Sequence, residues 1–169
     1  MPESSDDPSE LIRRLGDPAC YDHAAGPVRL IETHISWVLL TGEFAYKIKK
    51  PLNLGFLDFS SLDKRLAACR EEVRLNRRLA PAIYLDVVPI TGMPDAPRIN
   101  GSGEAIEYAV KMRQFPPDAT LDRLDAEGGM SARQVESLAT TVGRFHLQDC
   151  ARAGEDSPWG SPEKVWAPV

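Results

Sequence analysis

The sequence predicts an α+β fold, a five-stranded antiparallel sheet carrying one long helix, and three observations predict it. Short β-rich runs follow one another early in the chain with room only for tight turns between them, which makes a meander rather than parallel strands. One strongly helical segment then interrupts them, and two further strand-like runs follow. Strands, a helix, then strands again, without regular alternation, is the order expected when a helix lies against an antiparallel sheet.

Residues 1 to about 8 offer almost nothing to bury and are expected to be disordered. A short helix is predicted from Ser9 to Leu15, capped by Ser9 and stopped by Gly16, and Asp17 to Gly26 reads as loop. Val28 to Glu32, Ser36 to Leu40 and Phe44 to Lys49 are the first three strands; Thr41-Gly42-Glu43 turns the second into the third, and Pro51 ends it. Leu52 to Phe59 is a loop with the buried-type side chains Leu54, Phe56, Leu57 and Phe59. Ser60 with Asp63 resembles a capping box, so the main helix should run from there to about Leu79 and stop at Pro81. Tyr84 to Ile90 and Ala105 to Met112 are the remaining strands, with a turn at Asn100-Gly101-Ser102-Gly103 between them.

After Phe115-Pro116-Pro117 the texture changes to helices, Thr120 to Leu124 and Ser131 to Gln148, the second capped by Ser131 and striped by Leu138, Val142 and Phe145. Ala151 to Val169 is rich in Gly, Pro, Ser and charge, with Trp159 and Trp166 in need of a partner surface. The expected organisation is an N-terminal segment 1–27, a sheet domain 28–115, and the start of a helical region 116–169.

A net charge of −5 over 169 residues argues against a nucleic-acid binder, which carries a basic footprint. No run of about 18 apolar residues offers a membrane span. Cys20, Cys69 and Cys150 are odd in number and far apart, as expected of reduced thiols in a cytoplasmic protein.

Period two along Phe44–Lys49 sends Ala45, Lys47 and Lys49 to one face. A small residue followed two places later by a lysine suits a nucleotide site: the first leaves room for a flat base, and the ammonium meets phosphate. A solvent-facing strand guarded by lysines has the same pattern. On the helix, about 100° per residue groups Leu62, Leu66, Cys69, Val73 and Leu79 on one arc, with Glu72 inside it and Glu71 outside. A buried acid needs a cation, and Lys47 and Lys49 are the nearest candidates; an acid at the edge of a wide stripe could instead reach water. Arg70, Arg74, Arg77 and Arg78 read as a solvated or packing face, Asp122, Asp125 and Glu127 as a solvated helix end, and Cys69 as a core residue.

Four stretches in order carry a family resemblance: Ile31-Glu32-Thr33-His34-Ile35-Ser36-Trp37-Val38, Tyr46-Lys47-Ile48-Lys49-Lys50-Pro51, Arg74-Leu75-Asn76-Arg77-Arg78-Leu79-Ala80-Pro81 and Tyr108-Ala109-Val110-Lys111-Met112. Together they resemble the bacterial aminoglycoside phosphotransferase-like, kinase-like proteins often fused to a C-terminal P-loop ATPase domain. The resemblance implies a kinase-like small lobe followed by the first helices of a large lobe. It implies ATP with Mg²⁺ and an unidentified small-molecule hydroxyl acceptor. Lys47 would hold the α- and β-phosphates and pair with Glu72, with Lys49 and Glu71 as the alternatives for those roles. Ala45 would lie against adenine, and Met112, Arg113, Gln114 and Phe115 would form the hinge whose backbone meets the adenine edge. Phe145 and His146 would end the first long helix of the large lobe, His146 as a packing residue. The glycine-rich loop of protein kinases is absent; Thr33 to Ser36 occupy that turn. So are the family's His-Gly-Asp type catalytic loop, the metal-binding aspartate after it and a P-loop. The chain alone is therefore expected to bind nucleotide without catalysing transfer, its metal ligands lying past Val169. A non-catalytic nucleotide-binding or protein-interaction module is the alternative reading.

Overall fold

The computed structural model describes residues 8–126, 128–152, 154, 157 and 161–166. The disorder expected for the first residues, as well as Glu127 and Trp159, lies outside them. The chain divides into two compact units, the first ending at Pro117 and the second starting at Asp118.

The first unit is a mixed α+β structure around a curled antiparallel sheet of six strands, not five. Its elements are α1 (Pro8–Arg14), β1 (Arg29–Glu32), β2 (Ser36–Leu40), β3 (Phe44–Lys49), α2 (Leu62–Asn76), β4 (Tyr84–Met93), β5 (Ala96–Ile99) and β6 (Ala105–Arg113). The strand order is β1-β2-β3-β6-β4-β5, every pair antiparallel. The additional strand is β5, four residues containing Pro97, an unpromising strand sequence that survives because it lies at the sheet edge. Its hairpin with β4 requires glycine at position 92: φ is +89°, and a Cβ would stand 2.6 Å from the Ala96 carbonyl oxygen.

Two helices cover opposite faces. Leu11 and Ile12 of α1, with Leu15 just after it, join Leu39, Tyr46, Ile48, Val88, Ile90, Ile99 and Ala109 in one apolar cluster. The Tyr21 hydroxyl donates to the Leu15 carbonyl at 2.7 Å and fixes the chain leaving α1. The other face receives α2, whose Cys69 and Val73 pack on Val110 with Tyr84, Val87 and Met112 around them.

The predicted helix limits shift for local reasons. Asp58 captures both the amide and the hydroxyl of Ser60, so Ser61 becomes the N-cap of α2 and accepts from the Lys64 amide. The helix ends at Asn76, and Leu79, expected on the buried arc, lies beyond it and is exposed. The buried residues of α2 are Arg65, Cys69 and Val73 rather than a run of leucines. In the loop before it only Phe59 is buried; Leu54 and Phe56 face outward.

The second unit contains α3 (Leu121–Ala126), α4 (Ala132–Arg144) continuing into a π-helical turn at Phe145–Asp149, and α5 (Pro162–Trp166). Ser131 and Gln134 close a reciprocal capping box at the start of α4. No residue of α3 or α4 is buried; Leu138, Val142 and Trp166 are exposed. His146, expected to pack, is exposed as well. No helix among the described residues is long and apolar enough to cross a membrane.

Candidate functional site

Register places the candidate residues on one surface. On β3, Ala45 is paired with Leu40 and Met112, Lys47 with Val38 and Val110, and Lys49 with Ser36. Cross-strand partners share a face, and Val110 and Met112 are the residues on which α2 packs. Lys47 and Lys49 thus rise from the sheet beneath α2, where Glu72 meets both.

Glu72 divides its two oxygens between the lysines. Lys47 Nζ donates to Oε1 at 2.8 Å and Lys49 Nζ to Oε2 at 2.7 Å. Of the alternatives in the sequence, both lysines engage, while Glu71 turns outward to Arg74. The lysines differ in access: the Lys47 side chain is 28% exposed, those of Lys49 and Glu72 only 6% and 12%. Lys49 also lies 4.9 Å from the centre of the Phe59 ring, which closes it from that side. Burial opposes ionisation of Glu72, but the hydrogen bonds from Lys47 and Lys49 outweigh it and hold the carboxyl below its ordinary range. Two ammonium groups facing one carboxylate leave a surplus positive charge on a partly enclosed surface. Beside Lys49, the Ser36 hydroxyl is fully buried without a hydrogen-bond partner among the described residues.

The segment leaving β6 is tied down where the sequence expects a hinge. The Arg113 amide donates to the Ile83 carbonyl at 2.8 Å and the Gln114 amide to the Glu43 carbonyl at 2.9 Å. The Gln114 side chain accepts from the Gly42 amide at 3.0 Å. Phe115, half of it exposed, follows this anchorage.

Sequence reasoning missed a second ion pair under the same helix. Arg65 Nε donates to both carboxylate oxygens of Glu107, at 3.0 and 2.8 Å, and Nη1 donates to the Phe59 carbonyl at 3.0 Å. Both side chains are at least nine-tenths buried. The signal that could have found it is weak: an acid within the apolar run of β6 and an arginine four residues before Cys69. Of the arginines grouped in the sequence, Arg74 of α2 pairs with Glu71, and Arg77, just past the end of α2, donates to the Tyr84 carbonyl. Burial pushes the Cys69 thiol up to about 11, which keeps it protonated and unreactive. Among the described residues no three His, Cys, Asp or Glu side chains converge as a metal site would require.

The site is thus a cation-rich surface on an antiparallel sheet, framed by one helix. No family model matches the chain, and no solved structure matches it. Uncharacterized proteins of Mycobacterium tuberculosis and Mycobacterium bovis are 32% identical to it over 115 residues, 68% of this chain. The matched part is 22% of each relative, so the chain spans about a fifth of the length of the curated relatives it matches.

Proposed function

We propose that the sheet unit is a kinase-like small lobe that binds ATP, and that it serves a phosphotransferase of the aminoglycoside phosphotransferase-like kind acting on a small-molecule hydroxyl. The observation that carries this reading is the pairing of Lys47 on β3 with Glu72 on α2 over the sheet face that Ala45 shares with Met112. A solvated lysine strand, the competing account of the same sequence, would not bring a carboxylate from a helix onto two lysines.

The donor set fits a polyphosphate. Lys47, the more accessible cation, would meet the phosphates, and Glu72 would hold its side chain in place. Adenine would lie against Ala45 and Met112. The Arg113 and Gln114 amides are already committed among the described residues, so the Phe115 amide would be the hinge donor for the base edge. ATP supplies the transferable phosphoryl group; a Mg²⁺ ion accompanying it finds no cluster of ligands among the described residues. In this proposal the catalytic aspartate, the metal ligands and the acceptor pocket belong to sequence outside these 169 residues, in keeping with relatives of which the chain matches 22%.

The test is thermal unfolding of wild type and Lys47→Ala with and without ATP. Ligand at a hundred times its Kd stabilises the folded form by about 2.7 kcal/mol, a shift of several degrees. Wild type should show that shift and Lys47→Ala should lose most of it, while no phosphate is transferred by either. An unchanged melting temperature for wild type removes the nucleotide reading, and equal shifts in both proteins remove Lys47 from it.

A further inference from the structure

We infer that Lys49 is a positioning residue that sets the charge of the site: by holding one oxygen of Glu72 permanently, it keeps Lys47 available to an anionic ligand. The inference rests on the nucleotide reading above and concerns how that site distinguishes a nucleotide from an uncharged nucleoside.

A single lysine facing a single carboxylate forms a neutral pair, and incoming phosphate must compete with the carboxylate for the ammonium. Here Glu72 gives Oε1 to Lys47 and Oε2 to Lys49, both at hydrogen-bond distance. Lys49 has little access to water and is closed on one side by the Phe59 ring. Its charge must therefore be met inside the protein, and Glu72 is the acid that meets it. Lys47 has an outlet. The surplus charge of the cluster consequently appears at Lys47, and Glu72 keeps a partner when Lys47 turns to a ligand. A carboxylate left with no partner in that position would oppose the ligand's phosphates. At an effective dielectric of about 20, a unit charge roughly 7 Å away changes affinity for an anion by tenfold or more.

The experiment measures ATP and adenosine binding by calorimetry to the 169-residue chain as wild type, Lys49→Gln and Lys49→Arg. Glutamine keeps a hydrogen bond to Glu72 but removes the charge; arginine keeps both. ATP affinity should fall about tenfold or more in Lys49→Gln while adenosine affinity stays within about twofold, and Lys49→Arg should recover most of the loss. Equal ATP affinity in wild type and Lys49→Gln overturns the inference and leaves the nucleotide reading intact. A parallel loss of ATP and adenosine binding makes Lys49 a structural residue only and overturns the inference too. Absence of ATP binding by wild type removes the nucleotide reading first, and this inference with it. A measurement on wild type alone avoids dependence on how the variants fold. In nitrogen-15 NMR of the lysine ammonium groups, ATP should move the Lys47 signal and leave that of Lys49 in place. Movement of both signals together overturns the division of labour.

Discussion

On one face of the sheet, Leu11 and Ile12 of α1 and the following Leu15 join Tyr46, Ile48 and Ile90, and the cluster is hydrocarbon and aromatic rings. On the other, α2 brings Arg65 and Glu72 down beside Cys69 and Val73, and three ion pairs, two of them sharing Glu72, stand among the apolar side chains. Neighbouring residues of one strand serve both: Ile48 is buried in the first cluster, while Lys47 and Lys49 hold Glu72 in the second. Replacing a buried ion pair by hydrocarbon is often neutral or stabilising, so the charged face is not explained by stability. The α1 face is joined by apolar packing and the α2 face by paired charges, and under the nucleotide proposal the second face is the one that would meet the ligand.

The largest loss of stability is expected from removing half of a buried pair. Arg65→Met strands Glu107 and should cost about 3–5 kcal/mol in urea denaturation, whereas adding Glu107→Leu should return most of it. A double variant as unstable as the single one would show that the pair itself stabilises the sheet. On the opposite face Ile48→Ala should cost about 2–4 kcal/mol through the cavity it leaves, with the preference for ATP over adenosine unchanged.

Glu72→Gln should lose roughly 1–3 kcal/mol at neutral pH, since Lys49 keeps only a neutral acceptor. The pH dependence has a definite sign. The folded carboxyl titrates below its ordinary value of 4.5, so its stabilisation is complete above that value and is lost as pH falls through the lower folded value. The stability gap between wild type and Glu72→Gln should therefore close on acidification below 4.5, followed by chemical denaturation at successive pH values. The smallest effect belongs to Glu71→Ala, an exposed pair with Arg74, which should leave both the denaturation midpoint and ATP binding unchanged within measurement.

Much of the site was legible because it rests on two periodicities. Period two put Ala45, Lys47 and Lys49 on one face, and helical spacing put Glu72 rather than Glu71 inside the arc. Neither periodicity could choose between Lys47 and Lys49, since residues two apart on a strand are equivalent until a third group meets them; Glu72 then meets both. Arg65 was invisible for the opposite reason. An arginine on a helix ordinarily reads as solvated, and only its register against Glu107 buries it. The sheet was legible in its long strands and hidden at its edge, where Pro97 disguises β5. The α1 segment was readable as a helix, but not as the lid of a core, because its apolar residues are few and their partners are distant in sequence.

The strand order has a further consequence. β1, β2 and β3 form one ribbon of successive neighbours, and β4, β5 and β6 form another; the junction between them is the pairing of β3 with β6. The helix α2 packs on the second ribbon, through Val110, Tyr84 and Val87, yet its Glu72 reaches across to the lysines of the first. The charge cluster is therefore a staple across the seam of the sheet. It exists only once the two ribbons have joined, so an incompletely zipped chain lacks this cluster, and assembly of the cluster reports completion of the fold.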